Sequence, residues 1–472
     1  MIGGGLAGIS SAIGLADAGL DVMLLESRQW LGGATCSFGR RGLTIDNGQH
    51  VFMRCCVAYI DLLARLGVAA SSPLQGRFDL TVLGSDDTAR VRSSRLPAPL
   101  HLARSMARYR LLSASERRKA AGAAMALQFV NADRDDRSLG DWLAQHGQDE
   151  WCRRAFWDLL SLSALNVAAD RADLPLAAAA ISTALLAGRG NADLGVPLVP
   201  LSQLHSNPAA ALLRQLKVSV RLGVRAEAVR VRPAGGYEVR LASAVPPSAE
   251  REPVYEHGPT QINAAGIVLA VPAWEAAALA PDALAEEAAR WASLTPSPVV
   301  SVHVIYGSRV TKLPFAAAVD SPVHWVVDKT ASAGLHAGQY LAASVRSANS
   351  RVDTPVADLR AEMLPALERL FPAASKAAVT DFFVTRERRA TIAHVPGSRH
   401  ARVPADGQLP GFAIAGAWTD TGWPDTMEGA VRSGRSAAQK VIAELPGRGS
   451  DVAVRATDLA ATSRQRQMTR SS

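Results

Sequence analysis

Cysteine is scarce in this chain, and the spacing of the few that occur argues against a metal site. The chain has 472 residues and only four cysteines, Cys36, Cys55, Cys56 and Cys152. They form no C-x-x-C pair, and no histidine lies at a zinc-like spacing from them, so we predict no metal site. A disulfide framework is not expected in so long a chain. We interpret the four as reduced thiols and predict a cytoplasmic protein.

Long apolar runs are also missing. No stretch reaches the ~18 unbroken apolar residues that a membrane span requires. The segment from Leu174 to Gly188 is alanine-rich, which is typical of a buried helix. The start of the chain carries Asp17 and lacks the basic region of a signal peptide. If the protein meets a membrane, we expect it to lie on the surface.

Basic residues are in excess, but they are not interleaved with aromatic residues. The net charge is +8, and aromatic residues make up only 5% of the chain. Nucleic-acid binding is therefore not expected. A solvated basic surface explains the excess most simply, and an anionic membrane surface is the better candidate partner. Hydrophobic residues at 48% and charged residues at 20% indicate a globular protein with a sizeable core.

A glycine pattern at the start of the chain points to a nucleotide. Gly3, Gly5 and Gly8 form G-x-G-x-x-G within MIGGGLAGIS. This pattern usually connects a strand to a helix and binds the pyrophosphate of a dinucleotide. Alone it is weak, because tight turns without a ligand are also glycine-rich. Only Met1 and Ile2 precede it, too few for a complete first strand.

The residues that follow strengthen the nucleotide hypothesis. Apolar residues recur on one helical face from Gly8 to Gly19, and the buried run DVMLLE then ends in Glu26. Glu26 lies 18 residues after Gly8, near the ~20 expected for an acid that binds a ribose hydroxyl. The segment ESRQWLGG then places Arg28 within reach of a phosphate and adds a second glycine turn. NAD-binding domains do not need this turn, so we predict FAD rather than NAD.

Two further segments fit the neighbourhood of a flavin. DNGQH, from Asp46 to His50, has the glycine and polar backbone of a turn that faces the ring. Near the other end, a strand reaches Gly416 and a helix begins between Thr426 and Glu428. The free N–H groups and the positive dipole end of such a helix stabilise the negative charge of a reduced flavin.

Several motifs together resemble a known superfamily. GGGLAG, ESRQWLGG, VLAVP and the ending AG…EGAVRSG are similar to those of the flavin amine oxidase and phytoene desaturase superfamily. Within it, DNGQHVF, SALNVAAD, DLGVPLVPLSQL and AGAWTDTGWPDTMEGAVRSG look like the squalene-associated FAD-dependent desaturases of hopanoid synthesis, the hydroxysqualene dehydroxylases. The resemblance runs from Ile2 to about Leu445, nearly the whole chain.

The resemblance implies a fold, a reaction and a cofactor. The fold is α/β, a FAD-binding Rossmann-like domain with an interleaved α+β substrate domain, as in amine oxidases. The FAD-binding domain takes residues 1–75, 205–290 and 400–446, and the substrate domain takes 76–204 and 291–399. Residues 447–472 are expected to form a disordered tail. The reaction is the reductive removal of the hydroxyl of hydroxysqualene to give squalene. FAD is non-covalent, because no cysteine follows Cys152 to form a late thioether link.

The resemblance also implies which residues bind FAD. Val224 is expected to hold the adenine through its backbone, and Gly48 to His50 and Thr426 to Gly429 to lie by the flavin. The full predicted set is Gly3, Gly5, Leu6, Ala7, Gly8, Glu26, Ser27, Arg28, Gly32, Gly33, Ala34, Gly48, Gln49, His50, Val224, Gly416, Ala417, Thr426, Met427, Glu428 and Gly429.

The sequence departs from the superfamily pattern in two places. An acid usually follows the glycine of the late strand, and here that position is Ala417. The first strand is also missing, for which we expect a true start several residues upstream. If Met1 is the start, we expect weak FAD binding.

Chemistry beyond the cofactor leaves alternatives open. The hydroxyl needs a proton to leave, and the candidate acids are His50, Asp420 and Asp425, with loop capping as the other explanation of the two aspartates. The substrate is predicted to be a long-chain isoprenoid that enters from a membrane contacted peripherally, and the electron donor stays open. A carotenoid-type desaturase, an amine oxidase and a degenerate prenyl-binding protein are the other readings. An amine oxidase requires an aromatic cage, which the low aromatic content disfavours.

Overall fold

The computed structural model describes residues 1–85, 87–130, 135–242, 260–404 and 409–445. The predicted disordered tail at 447–472 lies outside these residues. The helices are α1 (Leu6–Asp17), α2 (Val57–Arg65), α3 (Ala103–Ala107), α4 (Ala114–Ala126), α5 (Leu139–Gln145), α6 (Glu150–Cys152), α7 (Asp158–Leu165), α8 (Leu174–Ile181), α9 (Asn207–Gln215), α10 (Ala273–Leu279), α11 (Ala285–Ala292), α12 (Val356–Leu370) and α13 (Met427–Glu444).

The strands are short at the start of the chain and longer in its second half. They are β1 (Met23–Glu26), β2 (Ser37–Arg40), β3 (Leu43–Asp46), β4 (Phe52–Met53), β5 (Asp79–Leu83), β6 (Thr88–Arg92), β7 (Leu194–Gly195), β8 (Ser219–Leu222), β9 (Ala226–Val231), β10 (Tyr237–Leu241), β11 (Gln261–Ala264), β12 (Ile267–Leu269), β13 (Pro296–Tyr306), β14 (Phe315–Ala318), β15 (Trp325–Asp328), β16 (Gln339–Val345), β17 (Val379–Ile392) and β18 (Phe412–Ile414).

A parallel sheet is assembled from distant parts of the chain. β1 pairs with β8, and β12 pairs with β18, all in parallel. Ile2 lies between the two pairs and forms parallel bridges to Leu25 and to Leu269. Its N–H donates to the Val268 carbonyl at 3.0 Å, and its carbonyl accepts from the Ala270 N–H at 2.7 Å. Met1 and Ile2 therefore occupy the position of the first strand, at the centre of the parallel sheet, although they are too few to form a complete strand.

Alternate residues of these strands face two different layers, as strand geometry requires. Leu24, Val268 and Ala413 pack against α1, α2, α9 and α13. Leu25, Leu269 and Phe412 pack on the other side, against α10, α11 and the small antiparallel sheet of β9 to β11. Both faces of the parallel sheet are thus covered, which explains why its strands read as continuous apolar runs.

The first and last helices of this unit are packed unusually closely. The Ser11 hydroxyl donates to the Gly434 carbonyl at 2.6 Å, and the Ser10 hydroxyl donates to the Val431 carbonyl at 3.1 Å. A Cβ atom on Gly434 would lie 2.2 Å from the Ala7 carbonyl oxygen. Glycine is therefore required at position 434 for α13 to support the first turn of α1.

A second sheet has seven strands in the order β17, β13, β16, β15, β14, β5 and β6. All neighbours are antiparallel except β14 and β5. The helices between residues 103 and 181 pack on one face, and α12 packs on the other. The sheet draws strands from two separate segments, 79–92 and 296–392. The predicted limits of the two domains nevertheless stay a prediction.

Most of the predicted local elements are confirmed, and some strands were not predicted. Helix α1, strand β1 and helix α13 lie where the patterns indicate, and β9 and β10 form a hairpin with its turn at Gly235–Gly236. The stretch from 71 to 200 is mainly helical, but it also contributes β5 and β6 to the large sheet. Among the residues that the structure describes, no helix is both long and apolar enough to cross a bilayer.

Candidate cofactor-binding and active site

The first glycine turn has a conformation that only glycine allows. Gly3 has φ +102°, and a Cβ atom there would lie 2.2 Å from the Ala270 carbonyl oxygen. A Cβ atom on Gly8 would lie 1.9 Å from the Gly3 carbonyl oxygen. Next to Gly5, by contrast, the nearest atom to an added Cβ would be the Gly33 Cα at 3.8 Å. The turn is therefore tight on its inner side and open in front of the helix.

This open space lies at the N-terminus of α1. The helix begins after Gly5, which provides no side-chain cap, and its first turn contains no acidic residue. Uncapped N–H groups and the positive end of the helix dipole make such a terminus an anion site. The second glycine turn bounds the space, because the Gly32 N–H donates to the Gly4 carbonyl at 2.8 Å. The arrangement fits a pyrophosphate.

Glu26 joins the two turns at the end of β1. Its side chain is buried, and its carboxylate accepts hydrogen bonds from the Gly4 N–H at 2.7 Å and the Arg28 N–H at 2.8 Å. The Ser27 hydroxyl donates to the same carboxylate at 3.2 Å. The Arg28 guanidinium donates to the Gly33 carbonyl at 2.9 Å, so it is fixed over the second turn.

The remaining predicted contacts on this side come from backbone groups. The Val224 N–H donates to the Glu26 carbonyl at 2.9 Å, so an adenine at this position would be bound through the Val224 carbonyl. The Ala34 carbonyl accepts from the Asn47 side-chain amide at 2.9 Å. Ser206 was not predicted, yet its hydroxyl donates to the Leu31 carbonyl at 2.6 Å and so supports the second turn.

The late segment supplies a second helix N-terminus. Thr426 caps α13, its hydroxyl accepting from the Gly429 N–H at 3.3 Å. The Gly416 N–H donates to the Ser433 hydroxyl at 2.9 Å, which ties the end of β18 to α13. Glu428 is buried and does not face the glycine turns. Its carboxylate accepts from the Ala58 and Tyr59 N–H groups at 3.1 and 2.8 Å.

A buried ion pair lies at the DNGQH turn. The Lys329 Nζ atom is 2.7 Å from the Asp46 Oδ2 atom, and the two side chains are 8% and 2% exposed. The Asp46 Oδ1 atom accepts from the Ser37 hydroxyl at 2.7 Å and from the Leu201 N–H at 2.9 Å. The Asp46 carboxylate is therefore both ion-paired and hydrogen-bonded, as a buried charge must be. Lys329 follows β15, 283 residues from Asp46, so no local pattern indicates the pair.

His50 lies in the same pocket and is uncharged at neutral pH. Burial is the main cause that lowers the pKa of His50 to about 4, and the charges of Arg346 and Lys329 lower it further. The His50 Nδ1 atom lies 3.2 Å from the Gly48 carbonyl oxygen. The pocket has an apolar wall, and its lining holds no phenylalanine, tyrosine or tryptophan; its lining residues are Asp46, Gln49, His50, Val51, Val196, Pro197, Leu201, Val327 and Lys329.

A second buried histidine lies behind His50. The His205 Nε2 atom is 2.8 Å from the Tyr59 hydroxyl, and burial lowers the pKa of His205 to about 3, with the charge of His50 as the next cause. Within the described ranges, neither its Nδ1 atom nor the Gln49 Nε2 atom has a hydrogen-bond partner. Orphaned buried polar atoms of this kind are expected where a ligand belongs.

Comparison with known proteins decides the family. The family model described as "Flavin containing amine oxidoreductase" matches residues 6–442. The chain belongs to this family. Hydroxysqualene dehydroxylase of Rhodopseudomonas palustris is 28% identical, over 94% of this chain and 98% of that protein. A zeta-carotene desaturase of Zea mays is 32% identical, over 34% of this chain and 30% of that protein. A solved variant of putrescine oxidase has a TM-score of 0.72 at 18% identity, covering 94% of this chain and 98% of that one.

Membership in the flavin amine oxidoreductases confirms three predictions. The α/β amine-oxidase-like fold, the FAD cofactor and the classification as an oxidoreductase all agree with it. The residues present fit FAD: two glycine turns and an open helix N-terminus suit its pyrophosphate, and Gln49 has an amide nitrogen to satisfy. The individual FAD contacts stay predictions.

The three predicted acids have different surroundings. His50 lies in the pocket, whereas Asp420 is exposed and caps a turn, accepting from the Gly422 N–H at 3.2 Å. Asp425 is buried and accepts from the Ile392 N–H at 2.9 Å, and burial raises its pKa to about 6. Its own N–H donates to the His394 Nε2 atom at 2.8 Å. These contacts match the loop-capping alternative for both aspartates.

Proposed function

We propose that this chain removes the hydroxyl group of hydroxysqualene reductively and forms squalene. Similarity to hydroxysqualene dehydroxylase over nearly the full length of both chains carries the proposal. The chemistry of the pocket agrees with it, because a neutral isoprenoid needs apolar walls and one proton donor, which Lys329 supplies. We also propose that the substrate reaches the pocket from a membrane, since a C30 hydrocarbon chain has negligible solubility in water.

Within this proposal the chain's own residues bind the cofactor in two parts. Gly3 to Gly8 and Gly32–Gly33 hold the pyrophosphate, Glu26 binds a ribose, and the Val224 carbonyl receives the adenine. At the other end, Gly48 to His50 and the backbone N–H groups at the start of α13 face the flavin. FAD, once reduced, supplies the hydride. Ala417 offers no carboxylate, so backbone groups of the late segment take the place of the usual acid in binding the cofactor.

The protein must protonate a hydroxyl that is otherwise a poor leaving group. In the balanced change, the C–O bond breaks, one proton and one hydride are consumed, and water leaves. We assign the proton to Lys329, because its ammonium group is buried, borders the pocket and is held by Asp46. His50 is neutral, so its role is to orient the hydroxyl rather than to protonate it. An allylic cation would be shielded from water by the apolar wall.

The same groups disfavour an amine oxidase. An amine substrate carries a positive charge, and the guanidinium of Arg346 near His50 would repel it, since the Lys329–Asp46 pair has no net charge to compensate. The lining of the pocket also holds no phenylalanine, tyrosine or tryptophan that could form a cage around an amine. A carotenoid-type desaturase is the second candidate, because the likeness to zeta-carotene desaturase extends over a third of the chain. That reaction would run in the oxidative direction.

One experiment tests both the direction of the reaction and the identity of the proton donor. The holoenzyme is reduced without oxygen, mixed with hydroxysqualene in detergent, and extracted for squalene by gas chromatography and mass spectrometry. Lys329→Met should lower kcat by about 10²–10⁴-fold, the usual range for a lost general acid. Lys312→Met, at an exposed lysine, serves as the control and should match the wild type.

A second variant separates chemistry from stability. Lys329→Met alone leaves the Asp46 carboxylate buried and unpaired, which destabilises the fold. In Asp46→Asn/Lys329→Met this charge is gone, so FAD should stay bound while squalene formation stays low. Full activity in the double variant would remove Lys329 from the mechanism. No squalene from the wild type, together with oxidation of a polyene by the oxidised holoenzyme, would establish the desaturase instead.

A further inference from the structure

An open cleft of about 720 Å³ lies outside the site described above and is lined mainly by arginine. Arg54, Arg77, Arg95 and Arg189 border it, with Asp193 as the acid in its lining. Four guanidinium groups around one carboxylate repel each other unless an anion is present. The cleft is therefore a place where binding of an anion would be favourable.

Two of the guanidinium groups are already held in place. The Arg54 Nε atom donates to Asp193 Oδ2 at 2.9 Å, and its Nη2 atom donates to the Gln75 carbonyl at 3.2 Å. Arg189 donates to the Arg95 carbonyl at 3.0 Å. Groups fixed in this way lose little freedom when a ligand binds. Among the described residues, no carboxylate pairs with Arg77, Arg95 or Arg189, so their charge is available to a ligand.

A buried histidine, His101, is bonded through its backbone to a residue of the cleft. His101 is fully buried, and within the described ranges neither ring nitrogen has a hydrogen-bond partner. The Ser94 N–H donates to the His101 carbonyl at 2.8 Å, and Ser94 borders the cleft. Arg189 and Asp193, which also border the cleft, both influence the ring electrostatically. The charges of the cleft therefore act on a buried histidine that lies outside its lining.

Guanidinium groups bind phosphate with matched, forked hydrogen bonds. Two exposed apolar side chains come soon after Arg95 in the sequence, Leu96 at 52% and Leu100 at 56% exposed. Cationic groups beside exposed leucines are typical of proteins that bind the surface of an anionic bilayer. We propose that the arginine cleft binds the phosphate of an anionic phospholipid headgroup. Only the choice of a lipid over a free phosphate rests on the proposed membrane-borne substrate.

The cleft is connected to the candidate active site by a short ladder. β4 pairs with β7, and Arg54 and Asp193 lie at one end of this pair. His50 and Val196, at the other end, border the active-site pocket. Four residues of extended chain span about 13 Å. A headgroup in the cleft would therefore bring the bilayer next to the pocket that must receive an isoprenoid.

Vesicle binding tests the proposal with the intact holoprotein. Co-sedimentation is measured with vesicles of phosphatidylcholine alone and of phosphatidylcholine mixed with phosphatidylglycerol. We expect binding only to the mixed vesicles, weakened at least tenfold in Arg77→Gln/Arg95→Gln, since each arginine at the surface contributes appreciably. Arg214→Gln/Arg230→Gln is the control: these arginines are exposed, lie on α9 and β9, and give the same change in net charge. The flavin spectrum verifies the fold of each variant.

Each outcome of this test is decisive. Equal loss in both double variants would mean that overall charge attracts the protein, and the cleft assignment would be overturned. Binding of inorganic phosphate or pyrophosphate by the cleft, without preference for anionic vesicles, would overturn the lipid assignment in favour of a soluble phosphate. Squalene formation in detergent does not need a bilayer, so it stays normal in Arg77→Gln/Arg95→Gln if only the membrane contact is lost.

Discussion

One substitution, glycine to alanine, should have opposite effects in two helices of this protein. Gly8 lies in the first turn of α1 beside the glycine cradle, and Gly122 lies in α4 with no atom within 4 Å of an added Cβ. Alanine raises helix propensity by about 1 kcal/mol at either position. At Gly122 nothing opposes this gain, so Gly122→Ala should raise the free energy of unfolding by up to that amount.

At Gly8 the structure opposes the gain. The added Cβ would lie 1.9 Å from the Gly3 carbonyl oxygen, whereas ordinary contacts begin at 3.4 Å. The turn must therefore move by about 1.5 Å, and overpacking against backbone costs ~3 kcal/mol, the upper part of its usual range. The net loss in Gly8→Ala is then about 2 kcal/mol. The movement also displaces the N–H groups that we propose to face the pyrophosphate, so FAD affinity should fall at least tenfold.

Urea unfolding of the FAD-free proteins measures the first effect, and the recovery of flavin fluorescence on FAD release measures the second. Gly122→Ala controls for the chemistry of the substitution itself. If Gly8→Ala binds FAD as tightly as the wild type and unfolds at the same urea concentration, the close contact between Gly8 and Gly3 has no energetic importance. The reasoning about the cradle would then be wrong.

Two other predictions concern buried charge. Glu428→Ala removes the acceptor of two backbone N–H groups at the start of α2, so the free energy of unfolding measured in urea should fall by about 3 kcal/mol. The control Glu275→Ala, at an exposed ion pair, should change that free energy by less than ~0.5 kcal/mol. Equal effects of the two substitutions would refute the role of Glu428. Burial lowers the pKa of four histidines to about 3 or 4, namely His50, His205, His303 and His324. Below pH ~6.5 the unfolded chain therefore binds more protons than the folded chain. The stability that these histidines contribute is present above pH ~6.5 and is lost on acidification. Asp158 and Asp425, with pKa raised to about 6, act oppositely and more weakly between pH ~4 and 6. Between pH 8 and pH 5, the free energy of unfolding of His303→Gln should fall by about 2 kcal/mol less than that of the wild type. An equal fall in both proteins would contradict the lowered pKa of His303.

Local patterns were enough to predict the cofactor cradle. The glycines of both turns, Glu26 at the end of β1 and the N-terminus of α13 are each set by residues close in sequence. Their conformations follow from backbone freedom and helix geometry, which a sequence displays directly. The pairing of distant segments is different, because the Asp46–Lys329 ion pair and the Tyr59–His205 contact depend on the assembled fold. Periodicity carries no signal for such partners.

The large sheet shows a second limit. β16 reads QYLAASV and is buried at all seven positions, and β14 reads FAAA. Alanine favours helices by intrinsic propensity, and full burial removes the alternation that would mark a strand. Pairing with β13 and β15 overrides the local preference of β16. Asp425, one of the predicted acids, also accepts from the Ile392 N–H at the end of β17, a contact between distant segments that no local pattern indicates.

The contact between α1 and α13 has a consequence for the time at which the protein acquires its cofactor. The glycine cradle is made among the first residues, but Gly434 packs against α1 from near the end of the described chain. At about 5–20 residues per second, a ribosome needs ~20–90 s to make the chain between them. During that interval the emerging cradle has no α13 behind it and no β18 in its sheet. We therefore expect FAD to bind after synthesis rather than during it, and a chain cut short before α13 to remain without flavin.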